Sequence, residues 1–345
     1  MKVLTLTGTR PELIRLSIIM KKLDTLCEHV HVFTNQNFDP NLSDVFFDDL
    51  DIREPNYVFK ETHTIGQFLS EGFIRFEHIL LEQKPDKILT LGDTNSGLLT
   101  ILATKYDIPV YHLEAGNRAF DRELPEEINR RIIDAHSLYN LPYTENSRDN
   151  LLREGYSKNY VFKVGNPIYE VLEYYKDKMV YTDGGHVLAT FHRANNVDHT
   201  DKLLNVFTAL THIGQDISVF LSLHPRTKDQ LHKRDYEISP KINIMEDMGF
   251  YKFISLEKTA KCVITDSGTV PEECAIFHVP CVIIREFIER QELIDNGSVI
   301  VCGTNMGDII RAYKTAISLP PRWQDLPDYF NPNVSDTVIR LLLGR

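Results

Sequence analysis

Side chains capable of acid–base chemistry follow several short apolar runs of this sequence, at the point where each run ends. Asp93 and Glu114 follow two such runs, and Glu126 stands at the start of a helix-like segment. Clustered carboxylates raise one another's pKa, which suits proton transfer near neutral pH. The simpler alternative is three scattered surface acids among the 49 acidic residues of the chain. We therefore treat all three as candidate proton-transfer residues.

Two histidines in the second half repeat this placement. His192 and His224 each end an apolar run and are followed closely by an arginine. A histidine in such a position is a candidate ligand or acid–base group, because its pKa lies near neutral pH. Of the 13 histidines in the chain, the others are typical of ordinary strand or surface positions.

Two turns at helix starts could hold an anion. Gly8 opens a turn that places Arg10 at the positive end of a helix, where negative charge is favoured. Ser267, Gly268 and Thr269 form a second turn, which we expect to offer backbone N–H groups to a diphosphate. A capping role alone, with acids in the first helical turn, is the alternative for both turns.

The third helix start follows Pro125, a residue suited to the first helical position. Glu126 and Arg130 fall four residues apart and so share one face of that helix. Glu127 falls on another face, where we expect it to cap the helix or face solvent. In the second half, Glu273 lies one turn into the helix after the Ser-Gly-Thr turn, where a carboxylate can accept two hydrogen bonds from a ribose diol.

The elements that position these residues alternate between short strands and longer amphipathic helices, which predicts parallel sheets built from βαβ units. The predicted strands of the first half are Lys2–Thr7, Val30–Thr34, Lys87–Leu91, Pro109–Leu113, Ser137–Pro142 and Tyr160–Val164. Those of the second half are His186–Thr190, Ile217–Leu223, Ile242–Met245, Cys262–Thr265, Pro280–Ile284 and Val299–Val301. The candidate residues follow the carboxyl ends of these strands, which is the edge where open α/β sheets bind ligands.

The fold class is therefore α/β, with two doubly wound Rossmann-like domains facing a central cleft. A length of 345 residues fits two such domains. We predict an N-terminal domain over residues 1–167, a C-terminal domain over 168–329, and a terminal helix over 330–345 that packs back on the N-terminal domain.

Composition excludes several classes of protein. The formal net charge is −11 and no extended basic stripe is present, so a nucleic acid is not the expected partner. No Walker A loop and no Gly-x-Gly-x-x-Gly motif follows the first strand, and no set of residues has zinc-like spacing. We expect no cofactor and no metal. The absence of a signal peptide or a long apolar span predicts a cytoplasmic protein that does not bind membranes.

In combination, these motifs resemble the non-hydrolysing UDP-N-acetylglucosamine 2-epimerases over nearly the whole chain. The form of the stretch after Glu114 and of the Ser-Gly-Thr turn is most similar to a subgroup that makes UDP-N-acetyl-L-fucosamine by C2 epimerisation. The motifs that carry the resemblance are Gly8-Thr9-Arg10-Pro11-Glu12, Gly92-Asp93-Thr94, Glu114-Ala115-Gly116-Asn117-Arg118, Pro125-Glu126-Glu127 with Asn129-Arg130, His192-Arg193, Asp266-Ser267-Gly268 with Glu272-Glu273, and Glu289-Arg290.

The resemblance implies a glycosyltransferase-B-like fold, a homodimer and a mechanism that eliminates UDP across C1–C2 and adds it back on the opposite face. It implies UDP-GlcNAc, UDP-ManNAc or a 6-deoxy-L-analogue as substrate, and a role in making surface polysaccharide precursors. The residues that match the family's catalytic groups are Asp93, Glu114, Glu126 and His192. Those assigned to UDP-sugar binding are Arg10, Arg130, His224, Ser267, Gly268, Thr269, Glu273 and Arg290.

Two positions depart from the family pattern, and three other functions compete with the epimerase. Thr269 replaces a common second glycine, and Gln291 replaces the proline of a common Glu-Arg-Pro-Glu run. The alternatives are a hydrolysing 2-epimerase that releases free N-acetylmannosamine, a glycosyltransferase of the same fold, and a UDP-sugar sensor without activity. A full set of candidate carboxylates favours the epimerase over the last two.

Overall fold

The first sheet of the protein has six parallel strands in the spatial order β3-β2-β1-β4-β5-β6. Its strands are β1 (Lys2–Thr7), β2 (Glu28–Phe33), β3 (Tyr57–Val58), β4 (Lys87–Leu91), β5 (Val110–Leu113) and β6 (Tyr139–Leu141). The chain enters the middle of the sheet at β1, winds outward to β3 and then crosses to β4. This crossing makes the carboxyl ends of β1 and β4 a topological switch point, where such sheets bind ligands.

This computed structural model describes residues 1–36, 40–60, 64–122, 124–181, 184–246 and 248–344, with the backbone alone for residues 40–44. Among these residues, no helix is both long and apolar enough to cross a membrane.

Helices cover the first sheet, and they bury a core of aliphatic residues. Leu4, Leu6 and Ile88 of the central strands are fully or almost fully buried, as continuous apolar strands of a covered parallel sheet must be. The helices are α1 (Arg10–Leu26), α2 (Pro40–Asp49), α3 (Ile65–Gln83), α4 (Asn95–Leu98), α5 (Pro125–His136), α6 (Glu145–Arg153) and α7 (Ile168–Tyr175), with short 3-10 helices at Leu99–Lys105 and Lys158–Tyr160.

The second sheet repeats the winding of the first, in the order β12-β11-β10-β7-β8-β9. Its strands are β7 (Val187–Thr190), β8 (Val219–Ser222), β9 (Ile242–Met245), β10 (Cys262–Thr265), β11 (Cys281–Ile283) and β12 (Val299–Val301). Its helices are α8 (Ala194–Val197), α9 (Thr200–Ile213), α10 (Pro225–His232), α11 (Phe250–Thr259), α12 (Val270–Phe277), α13 (Gln291–Asp295) and α14 (Met306–Ser318), with a 3-10 helix at Lys176–Lys178 before β7. The switch point of this sheet lies at the carboxyl ends of β7 and β10. The predicted α/β class with two doubly wound Rossmann-like sheets is therefore confirmed.

The chain forms two compact units. Unit 1 comprises residues 1–174 and 327–345, and unit 2 comprises residues 175–326. This division falls at the end of α7, and the sequence placed the boundary at residue 167. Within unit 1, Glu170 of α7 accepts a hydrogen bond from the Ser335 backbone N–H at 2.8 Å.

The last helix, α15 (Val334–Gly344), packs against α1 within unit 1. Lys22 Nζ donates to Ser335 Oγ and to Asp336 Oδ1, both at 2.6 Å. Lys87 Nζ donates to the Leu342 carbonyl at 2.5 Å. These bonds fix α15 beside the first sheet.

One predicted strand is wrong and one strand was missed. The predicted strand Tyr160–Val164 forms a single bridge, between Asn140 and Val161, because a 3-10 helix occupies its start. The two-residue strand β3 was not predicted, because Tyr57 and Val58 are too few to produce a periodic pattern.

Candidate active site

The chain turns sharply at Gly8, between β1 and α1. A Cβ on Gly8 would lie 2.0 Å from Ser96 Oγ and 2.4 Å from Thr34 Oγ1, so the turn accepts only glycine. The Glu12 carboxylate accepts hydrogen bonds from the backbone N–H groups of Gly8 at 2.5 Å and Thr9 at 2.8 Å. This reciprocal cap fixes the first turn of α1.

Arg10 begins α1 at this turn, with its guanidinium 5.5 Å from the centre of the Phe46 ring. Burial lowers the pKa of the Arg10 guanidinium. The Glu12 oxygens accept hydrogen bonds from the Gly8 and Thr9 backbone N–H groups and, at 2.7 Å, from the Thr94 hydroxyl. Burial also raises the pKa of Glu12 to about 7, against the lowering effect of these hydrogen bonds. Arg10 therefore lies at a helix N-terminus on the ligand edge, and its role as an anion contact stays a prediction.

Asp93 lies just beyond β4, after Gly92, and α5 holds it in place. Arg130 Nε donates to Asp93 Oδ2 at 3.1 Å, and Arg130 Nη2 pairs with the same oxygen. Asn129 Nδ2 donates to the Asp93 carbonyl at 3.0 Å. The structure thus brings Asp93 and Arg130 together, and it ties this loop to the start of α1 through the Thr94–Glu12 bond.

Glu114 lies just beyond β5, which pairs with β4 so that Leu113 is level with Leu91. Its backbone is left-handed, with φ 70°, a conformation that costs a residue other than glycine about 1–3 kcal/mol. Asn117 Nδ2 donates to Glu114 Oε1 at 3.2 Å, and Ser147 Oγ donates to Asn117 Oδ1 at 2.7 Å. Backbone strain supported by its surroundings is typical of functional positions.

The first turn of α5 carries two glutamates in different environments. Glu126 is half-buried, on the helix that holds Asp93. Glu127 is fully buried and accepts hydrogen bonds from the Ala119 backbone N–H and from Arg131 Nε, both at 2.9 Å. The prediction that Glu127 caps the helix or faces solvent is wrong, because this carboxylate anchors the loop between β5 and α5.

Asp266 organises the corresponding edge of unit 2, and the sequence did not assign it a role. Its side chain is fully buried at the end of β10. It accepts hydrogen bonds from the backbone N–H groups of His192 (3.0 and 3.1 Å) and Arg193 (2.9 Å), and from Asn196 Nδ2 (3.0 Å). The signal was available in the sequence, since Asp266 opens the Ser-Gly-Thr turn at a strand end.

The structure brings the two predicted histidines together. The rings of His192 and His224 stack with centroids 4.5 Å apart and planes 21° apart. His224 Nδ1 accepts a hydrogen bond from the Arg226 backbone N–H at 3.1 Å and so caps α10. The His192 side chain is 39% exposed, and its Nδ1 lies 3.8 Å from Asp266 Oδ1.

The Ser-Gly-Thr turn is closed by bonds among its own members. The Ser267 N–H donates to Thr265 Oγ1 at 2.9 Å, and the Thr269 N–H donates to Ser267 Oγ at 3.2 Å. In this conformation the Ser267 amide bonds within the turn, and its contact with an anion stays a prediction. A Cβ on Gly268 would lie 3.1 Å from Glu289 Oε1, so the turn passes close to the loop after β11.

Glu273 and Arg290 both have buried charged or acidic partners. Glu273 lies beside another acid, and Arg290 forms an ion pair. Glu273 is 5% exposed and packs beside Glu257, a fully buried acid of α11. Burial first, and then the charge of Glu273, raise the pKa of Glu257 well above its usual value. Arg290 Nε pairs with the Glu272 carboxylate. Within the described residues, no group of three or more His, Cys, Asp or Glu side chains is placed to hold a metal ion.

Comparison with known proteins gives a consistent result over the full length. A family model described as UDP-N-acetylglucosamine 2-epimerase matches residues 21–343. A Methanocaldococcus jannaschii protein named UDP-N-acetylglucosamine 2-epimerase is 35% identical, over 99% of each chain. A Pseudomonas aeruginosa protein named UDP-2,3-diacetamido-2,3-dideoxy-D-glucuronate 2-epimerase is 33% identical, over 92% of each chain.

A solved structure agrees with this result. The M. jannaschii UDP-GlcNAc 2-epimerase, in complex with UDP-GlcNAc and UDP, superposes on all of this chain with a TM-score of 0.92 and 34% identity. The match covers 100% of both chains.

Proposed function

Since the chain belongs to the UDP-N-acetylglucosamine 2-epimerase family, an enzyme family of the isomerase class, we propose that it inverts C2 of a UDP-N-acetylhexosamine without hydrolysis. The C2 proton of such a sugar is not beside a carbonyl, so direct removal and return of the proton is slow. Elimination of UDP across C1–C2 gives a 2-acetamidoglucal. Addition of UDP with the proton on the opposite face then gives the epimer.

We assign the proton transfers to unit 1. The observation that carries this assignment is Asp93, an acid held by two nitrogens of Arg130 at the switch point of the first sheet. Glu114 follows the adjacent strand, and Glu126 lies on the helix that holds Asp93. Two carboxylates on different elements can act on opposite faces of a sugar ring, as inversion requires. General acid–base groups contribute about 10²–10⁴-fold each.

We assign the nucleotide to unit 2. His192 is half-exposed, and its backbone is held by buried Asp266, so it can face a leaving diphosphate from a fixed position. His224 stacks on it, while Ser267, Gly268 and Thr269 form the adjacent turn. Glu273 and Arg290 complete the UDP contacts proposed in unit 2. In unit 1, Arg10 and Arg130 keep their predicted role as UDP-sugar contacts. Cations and N–H donors stabilise the charge that develops on a leaving diphosphate.

The substrate is a separate question within this proposal. One relative at 33% identity is named for a diacetamido-glucuronate, so likeness at this level spans different sugars. We propose UDP-GlcNAc and UDP-ManNAc, or a 6-deoxy-L-analogue that yields UDP-N-acetyl-L-fucosamine, as the substrates to test first. A homodimer, a cytoplasmic location and the supply of precursors for surface polysaccharides stay predictions.

The test is incubation of the protein with each UDP-N-acetylhexosamine in D₂O, with C2 followed by NMR. We expect deuterium at C2 of both epimers, with the sugar still attached to UDP. Free N-acetylmannosamine with no epimeric UDP-sugar would instead establish a hydrolysing enzyme. Binding without exchange for every sugar would exclude epimerisation.

A further inference from the structure

A histidine in the core of unit 1 faces two hydrogen-bond acceptors. His112 lies within β5 and is fully buried. Its Nδ1 lies 2.8 Å from Asp134 Oδ1, and its Nε2 lies 2.7 Å from the carbonyl oxygen of Gly92. A carbonyl oxygen can only accept, so Nε2 must carry a proton. The charge of the ring then depends on whether Asp134 is ionised.

Two groups besides His112 act on the Asp134 carboxylate, and they favour its ionised form. Arg118 Nη2 lies 2.7 Å from Asp134 Oδ2, and the Gly116 N–H donates to both Asp134 oxygens at 3.3 Å. Burial raises the pKa of Asp134, but the hydrogen bond and charge of His112 and the charge of Arg118 outweigh burial and hold it below its usual value. An ionised Asp134 can only accept, so Nδ1 of His112 carries the second proton.

The surrounding charges balance this pair. Arg118 also donates to both oxygens of Glu154, at 2.8 and 2.6 Å. His112 and Asp134 are fully buried and Arg118 is 5% exposed, whereas Glu154 is exposed, so the network runs from the core to the surface and partly offsets the cost of removing the pair from water. Other titratable groups near the pair are Arg131, whose Nη1 lies 2.9 Å from Glu154 Oε1, His136, whose pKa burial lowers to about 4, and Tyr156, whose pKa burial raises.

The network holds the backbone on both sides of the candidate carboxylates. His112 donates to Gly92, the residue before Asp93, and Asp134 accepts from Gly116, two residues after Glu114. Gly92, Glu114 and Gly116 all have left-handed φ values, 74°, 70° and 80°. Glycine adopts this conformation freely, whereas at Glu114 it is strained and needs support from its surroundings to persist. The His112–Asp134 pair contacts the backbone of both turns from outside them.

We propose that His112 and Asp134 form a buried imidazolium–carboxylate pair that positions Asp93 and Glu114 for proton transfer. The inference rests on the proposed function for its consequence, but its charge state is a property of the protein alone. His112 and Asp134 are positioning residues, because they act through the backbone of the two turns.

The charge state is tested on the wild-type protein by ¹⁵N NMR after uniform histidine labelling. In the folded protein we expect both ring nitrogens of His112 to carry a proton and to show the shifts of an imidazolium. His31, whose pKa burial lowers to about 3, and His186 supply neutral, buried references in the same spectrum. A neutral His112 ring overturns the proposal, whether or not the protein is an epimerase.

The positioning role is tested with His112→Gln and Asp134→Asn in the C2 exchange assay. Misplacement of a reacting group by about 1 Å costs on the order of 10²-fold. We expect kcat to fall about 10–100-fold while the Kd for UDP stays within about threefold. The control is His186→Gln, since His186 is also buried and also bonds a carbonyl, that of Leu256 at 2.9 Å.

The outcomes separate this proposal from the proposed function. Wild-type kcat in His112→Gln overturns the positioning role, and so does a loss of UDP affinity in proportion to kcat. A wild-type protein that exchanges no C2 proton removes the epimerase and, with it, the catalytic consequence, whereas the NMR result still decides the charge of the pair.

Discussion

Glu12 is an acid whose burial works against its ionisation, and this has a measurable effect on stability. Its pKa is about 7 in the folded protein and near 4.5 in the unfolded chain. Between these values the folded state binds more protons, so the free energy of unfolding falls as pH rises from about 4.5 to 7. At and above neutral pH, the raised pKa of Glu12 lowers the free energy of unfolding by an amount on the order of 3 kcal/mol.

Glu12→Gln should remove this dependence, because glutamine does not titrate. Its amide can still accept hydrogen bonds from the Gly8 and Thr9 N–H groups and donate one to the Thr94 hydroxyl. We expect the free energy of unfolding of the variant, minus that of wild type, to increase as pH rises from about 4.5 to 7. Urea unfolding of both proteins at several pH values measures the difference, which cancels the titration of other groups. A difference that does not change between pH 4.5 and 7 would contradict the account.

Candidate residues at strand ends could be predicted from sequence, whereas the residues that support them could not. Asp93 and Glu114 stand beside strong apolar runs, and a polar residue there is visible in the sequence. Asp134 and Glu127 lie on α5 among other charged residues, and only the fold shows that both are buried. The closed turn at Ser267 likewise depends on side-chain bonds that no spacing reveals.

At the scale of elements, the start of α1 depends on a close approach of three segments at Gly8. Gly8→Ala would place a Cβ 2.0 Å from Ser96 Oγ. We expect a loss of stability of about 2 kcal/mol or more, since overpacking typically costs 1–3 kcal/mol and both neighbours are themselves buried. Thermal unfolding measures the change.

Gly66→Ala is the matched control, because Gly66 lies in α3 with nothing within 4 Å of an added Cβ. Alanine there should stabilise the helix by up to about 1 kcal/mol. Equal effects of the two substitutions would show that the turn at Gly8 is not as tightly packed as described.

The strands themselves were largely predictable, because β1, β4, β9, β10 and β12 coincide with their predicted bounds. In a sheet covered on both faces, a strand is a short apolar run between turn residues, and that pattern is local. The wrong prediction of a strand at Tyr160–Val164 also rests on this local pattern. The run is apolar, but the 3-10 helix at Lys158–Tyr160 uses its first residue and leaves one bridge.

At the scale of the whole molecule, the chain returns to unit 1 after completing unit 2. Val338 of α15 is fully buried, so Val338→Ala should lower the stability of unit 1 by about 2 kcal/mol. We expect faster hydrogen exchange in residues 1–174 and 327–345 and unchanged exchange in residues 175–326. Arg340→Ala, an exposed change on the same helix, is the control. Faster exchange in both units would show that their stabilities are not separate.

The proposed division of roles between the two units rests on the residues that follow their strands. The two sheets have the same winding order, yet the candidate carboxylates follow strands of unit 1 and the stacked histidines follow strands of unit 2. Removal of a unit 1 carboxylate should therefore stop proton transfer and leave UDP bound.

The rate of deuterium incorporation at C2 in Asp93→Asn tests this central claim most directly. The control is Asp86→Asn, since Asp86 precedes the same strand at its opposite end and its carboxylate accepts a hydrogen bond from the Lys2 backbone N–H at 2.7 Å. We predict a loss of about 10²–10⁴-fold in Asp93→Asn, wild-type exchange in Asp86→Asn, and similar affinity for UDP in both. Exchange at the wild-type rate in Asp93→Asn would contradict the account.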